Sequence, residues 1–384
     1  MKTKTKTKRL LLVSYRLSTT GGIETYNRSV AAAFSGAGWD VVALNPTDAI
    51  NKEVDGVRWV GLCSNNPILR RLYLRRMFQR ASAWLERHID SFDLVLCGHA
   101  HFAPVVYPLA KQRNLPYAVV LHGLEVWRAL SDEQIESLRQ ADALIPVSSF
   151  TQEEVIRRFG LEDSHFVKIS PSVDVQAFTP YPEVRDAARP FRLLTVGRMA
   201  GPDRDKGHRV ALGAIHALKA RGNFDVSYEI VGDGPDQAAL MQLAQELDVL
   251  PQVRFLGRVS DAEKLEAYRK CDVFVMVAPL QKLEAGALSG EGFGIVFLEA
   301  SACGKPVIAA EDGGGSVDPV QERITGFRCK STPGELANCI EMLRDDLEAG
   351  IDYGKSAREF VCNNYSSEVI RQKWLNLAEE LTRG

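Results

Sequence analysis

The sequence lacks any long hydrophobic run. No apolar stretch in its 384 residues approaches the ~20 residues that a membrane-spanning helix needs. The apolar segment 10–13, which follows a Lys/Thr-rich start, is too short for a signal peptide and has no cleavage-like site after it. These absences favour a cytoplasmic protein over an exported or integral membrane protein.

Cysteines are few and scattered along the chain. They are odd in number, and no two of them form a C-x-x-C pair. This pattern argues against a disulfide framework or a zinc site and favours reduced thiols in the core of a cytosolic protein. The seven residues are Cys63, Cys97, Cys271, Cys303, Cys329, Cys339 and Cys362.

A strong net charge is also missing, but the charge is unevenly distributed. The net charge is −2, yet residues 1–180 carry 22 basic against 18 acidic side chains, and residues 181–384 carry 25 against 31. Residues 1–100 hold most of the positive excess, with 15 against 8. A basic N-terminal half on an acidic protein indicates an anionic surface as a partner.

Short β-branched or leucine-rich segments alternate with helical segments in two series. A chain of 384 residues is too long for one ordinary core, so we predict two domains. The alternation predicts an α/β fold in which helices cover both faces of parallel sheets. The Pro-rich, charged stretch 180–190 separates the series, which predicts two Rossmann-like domains facing a cleft, residues 1–180 and 181–365. Residues 366–384 are predicted to carry a last helix.

The predicted elements follow this alternation. In the first series the strands are Leu10–Ser14, Val41–Asn45, Val57–Leu62, Leu94–Gly98, Ala118–His122, Leu144–Ser148 and Phe166–Ser170. The helices of this series include Ile23–Ser35, Arg71–His88 and Thr151–Phe159. In the second series the strands are Arg192–Val196, Tyr228–Gly232, Val253–Gly257, Val273–Val277 and Pro306–Ala310.

The run 291–299, E-G-F-G-I-V-F-L-E, places two carboxylates around a glycine turn that opens a predicted helix. Glycine lets the backbone approach a ligand closely, and a helix start offers unpaired N–H groups and a positive dipole end. Glu291 and Glu299 can then hold two polyhydroxylated ends of one ligand. Sugar, diphosphate and ribose follow in this order in a nucleotide sugar. The residues between the carboxylates that would contact it are Phe293, Gly294, Ile295 and Val296.

Two other glycine pairs follow predicted strands and precede predicted helices. Gly21 and Gly22 lie in the turn T-T-G-G-I-E, where backbone N–H groups can meet a phosphate. Gly232 and Gly234 lie in G-D-G-P, where a backbone turn can pass beside a base and ribose. The alternative for each pair is a tight turn with an ordinary helix start, and for the second pair that interpretation is about equally good.

Two cations follow the first strand of the second series. Arg198 ends that strand and Lys206 precedes the next helix. Converging on a helix N-terminus, they can clamp a diphosphate, since Arg offers a planar fork and Lys a compact charge. The alternative is a pair of solvated surface cations.

Three histidines follow strands of the first series. His122 lies in H-G-L-E at a strand end, where parallel α/β sheets place their ligands. It can hydrogen-bond a sugar hydroxyl, although a lone histidine there is more often structural. His99 and His101 follow the preceding strand and could line an acceptor site. A metal site made by the three is the less favoured interpretation, because no carboxylate or thiol shows ligand spacing.

Taken together, the order and spacing of these motifs resemble the retaining glycosyltransferases of family 4, which have the GT-B fold of two Rossmann-like domains. Residues 291–299 match the family's E-x7-E signature, and residues 299–307 match its E-A-x-A-x-G-x-P-V segment. The turns above match its G-G-[IV]-E, G-R…K-G, G-x-G-P and H-G-x-E segments. The resemblance covers nearly the whole chain and is strongest over residues 191–330.

The resemblance implies a hexosyltransferase that retains configuration and uses a nucleotide-diphosphate sugar, with no cofactor and no metal. It implies that Arg198 and Lys206 stabilise the leaving diphosphate and that Glu291 holds the sugar. Glu299 would hold the ribose. Closure of the two domains would bring His122 and Gly22 of the first domain onto the donor, where His122 would contact the sugar. It also implies an acceptor site in the first domain and a C-terminal helix that crosses back to it.

Two loops depart from the family's pattern. The segment 200–205 is a polar insertion between Arg198 and Lys206, and the segment 278–290 is longer than expected before Glu291. Either insertion could reshape the sugar pocket or cover it, and the first could move Lys206.

The predicted helix Arg71–His88 has an apolar stripe opposite a set of arginines. We expect the stripe to face the core. The arginines favour contact with anionic phospholipid, to which the lysines at positions 2, 4, 6 and 8 could add; nucleic acid is the rival partner, but no stacking pattern or binding module supports it. The arginines are Arg70, Arg71, Arg75, Arg76 and Arg80.

We therefore expect a cytoplasmic glycosyltransferase, peripheral on the inner face of the membrane, that acts on a saccharide or lipid-linked acceptor in polysaccharide or glycolipid biosynthesis. A nucleotide-sugar epimerase on the same fold is one alternative, and a non-catalytic sugar-binding protein is another. The choice between UDP and GDP, the sugar and the acceptor stay open at this point.

Overall fold

The chain forms two compact units in the computed structural model. Met1–Pro171 and Ser367–Gly384 make up the N-terminal unit, and Ser172–Ser366 makes up the C-terminal unit. The structure describes residues 7–15, 17–19, 21–181, 189–201, 206–222 and 225–383. The predicted boundary after residue 180 and the division after residue 171 differ because the intervening segment is bound by the C-terminal unit. Arg358 donates hydrogen bonds to the carbonyls of Val175 and Phe178, at 3.2 and 2.9 Å.

The N-terminal unit contains a seven-stranded sheet in the order β3-β4-β2-β1-β5-β6-β7. All neighbours pair in parallel except β3 and β4, which form an antiparallel hairpin at one edge. Leu10, Leu11 and Leu12 in β1 are fully buried, as expected for a central strand covered on both faces. The strands are β1 Arg9–Val13, β2 Asp40–Asn45, β3 Asn51–Val54, β4 Val57–Gly61, β5 Leu94–Cys97, β6 Tyr117–Leu121 and β7 Ala143–Pro146.

Helices cover this sheet and differ from the prediction in one place. The predicted helix Arg71–His88 is two helices, because the backbone of Arg76 leaves the helical region at φ −111° and ψ 22°. Its predicted apolar stripe is buried only in the second helix, at Ala81 and Leu85, while Leu74 and Phe78 are exposed. The helices are α1 Gly22–Ser35, α2 Pro67–Arg75, α3 Met77–His88, α4 Ala103–Gln112, α5 Asp132–Arg139 and α6 Ser149–Phe159.

The predicted strand Phe166–Ser170 was wrong. Phe166 makes only an isolated bridge to Leu144, and the N–H of Val167 donates to the carbonyl of Leu144 at 2.9 Å. The chain then leaves the edge of the sheet before Pro171, which has no N–H to extend a ladder.

The C-terminal unit contains a six-stranded parallel sheet in the order β10-β9-β8-β11-β14-β15. Its central strand β8 has β9 on one side and β11 on the other, so the winding direction changes beside it. The strands of this sheet are β8 Phe191–Val196, β9 Val226–Val231, β10 Val253–Gly257, β11 Val273–Met276, β14 Val307–Ala310 and β15 Gly326–Cys329. Two further strands, β12 Gln281–Lys282 and β13 Leu288–Ser289, form a separate hairpin. The helices are α7 His208–Ala220, α8 Gln237–Glu246, α9 Asp261–Lys270, α10 Ile295–Ala302, α11 Pro333–Asp345 and α12 Leu347–Tyr365.

The last helix, α13 Ser367–Leu381, returns to the N-terminal unit, which confirms the predicted crossing. Its Trp374 is 1% exposed and lies with its ring centroid 6.2 Å from those of Tyr26 and Phe34 on α1. Lys8 donates to the hydroxyl of Thr382 at 2.7 Å, which ties the end of α13 to the start of the first strand.

Candidate functional site

The carboxyl ends of three strands in the C-terminal unit gather most of the predicted site residues. The turn after β8 carries Arg198 and Lys206, the turn after β9 carries Gly232 and Gly234, and Glu291 pairs with the turn after β14. In open parallel sheets, ligands bind at this edge, at the point where the winding direction changes. Here that point lies beside β8.

Lys206 and Glu291 form an ion pair in this region. The ammonium of Lys206 lies 2.7 Å from the carboxylate of Glu291, and the side chains are 27% and 18% exposed. Backbone contacts hold both residues. The carbonyl of Glu291 accepts from the N–H of Gly315 at 2.8 Å. Gly207, next to Lys206, has φ +84°, and a Cβ there would lie 2.6 Å from the carbonyl of Val277, so only glycine fits.

The turns after β8 and β9 are packed backbone to backbone. The N–H of Met199 donates to the carbonyl of Asp233 at 3.0 Å. A Cβ on Gly232 would lie 2.1 Å from the carbonyl oxygen of Gly197, and one on Gly234 would lie 2.0 Å from that of Met199. These two glycines therefore let the turns approach each other, and this close packing fixes the position of the turn that carries Arg198.

Arg198 is exposed and makes no hydrogen bond or ion pair with other described residues. Its neighbour Gly197 lies against the Lys206 side chain, since a Cβ on Gly197 would be 3.2 Å from Lys206 Cγ. The turn that carries Arg198 thus packs against the side chain of Lys206, whose ammonium is paired with Glu291. Residues 202–205 of the predicted insertion 200–205 lie outside the described residues. Lys206 is among the described residues, and its position is known.

Helix α10 begins at Ile295, one residue after the predicted glycine turn. Gly294 is its N-cap with φ +90°, and the backbone N–H groups of Ile295 and Val296 have no partner inside the helix. Phe293 is buried, and its ring lies 5.6 Å from that of Tyr365. The free amides of the first turn are therefore presented next to Glu291.

Glu299 is the one charged residue on α10, where most of its neighbours are buried. Its carboxylate accepts from the Tyr268 hydroxyl at 2.7 Å and from the Lys264 ammonium at 2.9 Å. Burial, followed by the Glu299 charge, raises the pKa of Tyr268 well above its usual value, so its hydroxyl stays a donor. Lys264 and Tyr268 were not predicted as site residues, and their i, i+4 spacing on α9 was the available signal.

His122 follows β6 in the N-terminal unit and is held by two contacts. Its Nε2 lies 2.9 Å from the carbonyl of Gly98, and its backbone N–H donates to Glu125 at 2.6 Å. A carbonyl only accepts, so Nε2 carries a proton, and in the Nε2–H tautomer Nδ1 is an acceptor. The ring packs edge-on against Tyr26 at 5.3 Å. One nitrogen of His122 is therefore left for a hydroxyl donor.

His99 and His101 lie beside His122 but do not form a metal site. The His99 ring centroid is 4.5 Å from that of His101 and 6.0 Å from that of His122. Burial first, and then the charges of His122, His101 and Arg128, lower the pKa of His99 well below its usual value. Among the residues with described positions, no three His, Cys, Asp or Glu side chains could hold a metal ion.

Gly21 and Gly22 begin helix α1. Gly21 is extended, and Gly22 is the first helical residue. A Cβ on Gly21 would lie 2.3 Å from the Glu24 carboxylate, so that carboxylate lies over the start of the helix. An anionic ligand at this helix end would have to displace it.

The predicted membrane-facing arginines lie mainly on α2. Arg70, Arg71, Arg75 and Arg76 are exposed, but Arg80 is not free. The Arg80 guanidinium donates to the carbonyl of Leu62 at 3.0 Å and lies 3.9 Å from the Tyr73 ring centroid. Arg80 therefore stabilises the fold and does not belong to the outward set. Across the described ranges, no helix combines the length and apolarity that crossing a membrane requires.

The long loop 278–290 contains a small hairpin made by β12 and β13, in which Gln281 pairs with Ser289 and Lys282 with Leu288. Lys282 and Glu284 at its tip are exposed. The insertion is therefore an ordered hairpin immediately before Glu291.

Comparisons with known proteins agree with this architecture. Residues 20–177 match the model of Glycosyltransferase Family 4, and residues 183–360 match that of Glycosyl transferases group 1. A GDP-mannose-dependent monoacylated alpha-(1-6)-phosphatidylinositol monomannoside mannosyltransferase of Corynebacterium glutamicum is 31% identical over 78% of this chain and 78% of its own. A GDP-mannose-dependent alpha-(1-6)-phosphatidylinositol monomannoside mannosyltransferase of Mycolicibacterium smegmatis is 33% identical over 78% and 79%.

A solved structure also shares the fold. A glycosyltransferase from Rickettsia africae superposes with a TM-score of 0.78 at 19% identity and covers 99% of this chain and 100% of its own. The fold is thus the predicted two-domain, Rossmann-like GT-B fold.

Proposed function

Because the chain belongs to glycosyltransferase family 4, we propose that it transfers a hexose from a nucleotide-diphosphate sugar to a saccharide or lipid-linked saccharide, with retention and without a metal. GDP-mannose is the favoured donor over a UDP-hexose, because the two relatives described above are named GDP-mannose-dependent. The observation that carries the proposal is the Lys206–Glu291 pair, next to the exposed Arg198 and the start of α10.

The two cations would act on the leaving group. When the bond between the anomeric carbon and the phosphate oxygen breaks, negative charge grows on the diphosphate. Arg198 has no competing partner among the described residues, and Lys206 has only Glu291, so both are available to that charge. Fixed cations at a developing anion are usually the largest single contribution to catalysis. The acceptor oxygen then bonds to the anomeric carbon on the same face, and its proton goes to the leaving phosphate.

The two carboxylates would hold the ends of the donor. Glu291 lies before the first turn of α10 and would accept hydrogen bonds from sugar hydroxyls. Glu299 lies further along the helix and would accept from ribose hydroxyls. Lys264 and Tyr268 already fix its orientation, and a carboxylate has about four acceptor positions, so room is left for a hydroxyl. In the N-terminal unit, Nδ1 of His122 would accept from a sugar hydroxyl.

The surface of α2 would contact anionic lipid. We define the α2 surface as Leu69, Arg70, Arg71, Leu72, Arg75 and Arg76. Its leucines are 43% and 45% exposed, and its arginines are exposed beside them. Exposed leucine among arginine is typical of an interfacial helix, which buries apolar side chains between headgroups. The protein would then act in the cytoplasm at the inner face of a membrane.

Thermal stabilisation by nucleotides tests the proposal. GDP-mannose, UDP-glucose and ADP-glucose, with the free nucleotides, would be compared with and without EDTA. A ligand that binds only the folded protein stabilises it by about 2.7 kcal/mol at 100 times its Kd. The melting temperature rises as a result. We expect a shift with GDP-mannose and GDP that EDTA does not change. No shift with any nucleotide would overturn the proposal, and a shift that EDTA removes would overturn its metal-independent part.

A further inference from the structure

A pocket of about 570 Å³ opens in the N-terminal unit, and none of the side chains that line it belongs to a residue assigned to the donor. Its volume lies within the range of about 300–1,000 Å³ that is usual for small-molecule sites. The start of α3, the turn before α4 and the start of α5 enclose it. Its walls are Tyr15, Met77, Phe78, His101, Pro104, Val105, Ser131, Glu133 and Gln134.

One side of the pocket is apolar. Met77 and Phe78 come from the first turn of α3, and Pro104 and Val105 come from the first turn of α4. Phe78 is 41% exposed and packs against Phe102 at 5.7 Å. The arginine- and leucine-bearing helix α2 ends only two residues before Met77. The apolar wall therefore continues along the chain from the α2 surface.

The polar side ends in a directed chain of hydrogen bonds. Arg128 Nη2 lies 2.5 Å from His101 Nε2, and His101 Nδ1 lies 2.5 Å from the Tyr15 hydroxyl. A guanidinium only donates, so His101 Nε2 accepts and its Nδ1 carries the proton. Burial, followed by the Arg128 charge, lowers the pKa of His101, which keeps the ring neutral and maintains this tautomer.

Tyr15 is the last residue in this series of hydrogen bonds. Its oxygen accepts from His101, and its own proton has no acceptor among the described residues. Burial raises the pKa of Tyr15, so the hydroxyl stays protonated. Hydrogen bonds in a chain strengthen one another, and this chain starts at a cation. Tyr15 therefore offers a strengthened, unused donor at the wall of a pocket that apolar side chains also line.

We propose that this pocket binds the apolar, non-sugar end of a lipid-linked acceptor, and that Tyr15 donates a hydrogen bond to an oxygen at the head of that end. The assignment rests on the proposed function and narrows its acceptor to molecules with a hydrocarbon segment. The side chains of Met77, Phe78, Pro104 and Val105 form no hydrogen bonds with hydroxyls, so this part of the pocket suits a hydrocarbon segment better than a sugar. Arg128 and His101 act as positioning residues, because they set the direction of the Tyr15 proton.

Calorimetric titration with two glycosides tests the assignment. Octyl α-mannopyranoside, kept below its micelle concentration, and methyl α-mannopyranoside have the same sugar and differ in the chain. We expect the octyl compound to bind at least tenfold more tightly to the full chain. Val105→Phe, which fills the apolar side, should remove that advantage. Tyr15→Phe, which removes one hydroxyl, should weaken binding of the octyl compound about fivefold to tenfold. Tyr107→Phe, outside the pocket in the same unit, should change nothing.

The outcomes separate this assignment from the transferase proposal. Equal binding of the two glycosides, or octyl binding that neither pocket variant changes, would overturn the pocket assignment alone. Nucleotide stabilisation of each variant is measured in parallel and should equal that of the unsubstituted chain. The two variants change residues from different segments of the chain, so a folding defect in one leaves the other as a test. Absence of nucleotide binding in every protein would overturn the transferase proposal instead.

Discussion

The ammonium of Lys206 lies 2.7 Å from the carboxylate of Glu291, although 85 positions separate the two residues in the chain. Each is placed by a contact that involves glycine backbone, Gly207 against Val277 for the lysine and Gly315 for the glutamate. Each charge thereby has a partner before any donor arrives. A bound nucleotide sugar would replace this contact with two others, diphosphate for the cation and sugar hydroxyls for the carboxylate.

Removal of the Lys206 charge should mainly slow the chemical step. We expect Lys206→Ala to lower kcat at least 100-fold, since loss of one group that stabilises a developing anion typically costs 10²–10³. The measurement is the steady-state rate of sugar transfer, or of donor hydrolysis where no acceptor is known. Lys219→Ala, on the same helix α7 in an exposed pair with Asp248, is the control and should stay within twofold. Equal rates for both variants would remove Lys206 from the mechanism.

Glu299 should affect recognition of the nucleoside rather than of the diphosphate. We expect Glu299→Gln to raise the Kd of the stabilising free nucleotide about tenfold, because hydrogen bonds to a charged acceptor contribute about 1.5–3 kcal/mol. The Kd of inorganic pyrophosphate, which has no ribose, should be unchanged in the same titration. Tyr268→Phe keeps the carboxylate and removes only one of its donors, so its effect should be smaller. A parallel loss of affinity for pyrophosphate would place Glu299 elsewhere in the site.

A side chain at Gly232 should disrupt the turn that carries Arg198. Gly232 has φ +128°, and a Cβ would lie 2.1 Å from the carbonyl oxygen of Gly197, so Gly232→Ala meets both strain and a clash. We expect a loss of more than 3 kcal/mol, above the 1–3 kcal/mol for strained backbone alone. Gly257→Ala is the matched control, because Gly257 has φ +66° and open space around it. Urea unfolding measures both, and equal losses would refute the packing argument.

Acid should destabilise the N-terminal unit through His99. Its pKa is lowered in the folded state, first by burial, so the unfolded chain binds the proton at a higher pH than the folded chain does. Stability is therefore full above the unfolded pKa of about 6.5 and falls below it, by about 1.4 kcal/mol per pH unit until the folded pKa is reached. His99→Asn does not titrate and keeps an acceptor for the N–H of His101. Urea unfolding at pH 7.5 and 5.5 should show a smaller difference for this variant, and an equal difference would exclude His99 as the cause.

The α2 surface should bind anionic vesicles. Replacement of its four exposed arginines by glutamine should weaken co-sedimentation with phosphatidylserine vesicles at least 100-fold, since each basic residue near such a surface contributes about 1 kcal/mol. The replaced residues are Arg70, Arg71, Arg75 and Arg76. A control removes the same charge from other parts of the N-terminal unit, at Lys111, Arg139, Arg157 and Lys168. If the two sets weakened binding equally, net charge and not the α2 surface would explain the attraction.

Strands buried on both faces could be predicted from the sequence, because their short apolar runs are typical of strands in a covered parallel sheet. The predicted Val253–Gly257 matches β10, and the predicted Leu10–Ser14 differs from β1 by one residue at each end. Strand β3 was missed, because its N-K-E-V sequence has no apolar face and it pairs only at the sheet edge. Its signal was the turn Asp55–Gly56, with φ of +52° and +73°, which suits a two-residue hairpin.

Other features were not encoded in local patterns. The break at Arg76 interrupts a helical periodicity that contains neither glycine nor proline, so only tertiary contacts explain it. The spacing of Arg80 along the predicted helix placed it with the membrane-facing arginines. Its hydrogen bond to the carbonyl of Leu62 and its contact with the Tyr73 ring form only when folding brings these segments together. For the site, motif order indicated Lys206 and Glu291, which the structure brings together. The partners Lys264 and Tyr268 of Glu299 required the packing of α9 on α10.

The return of α13 to the N-terminal unit has a consequence for biosynthesis. The ring of Trp374 completes the packing of Tyr26 and Phe34, yet it is synthesised more than three hundred residues after them. The N-terminal unit therefore keeps an open hydrophobic groove until α13 has been synthesised. A truncation before α13 would leave the C-terminal unit whole and the N-terminal unit incomplete, so a defect late in the chain would disturb the packing of residues near its start.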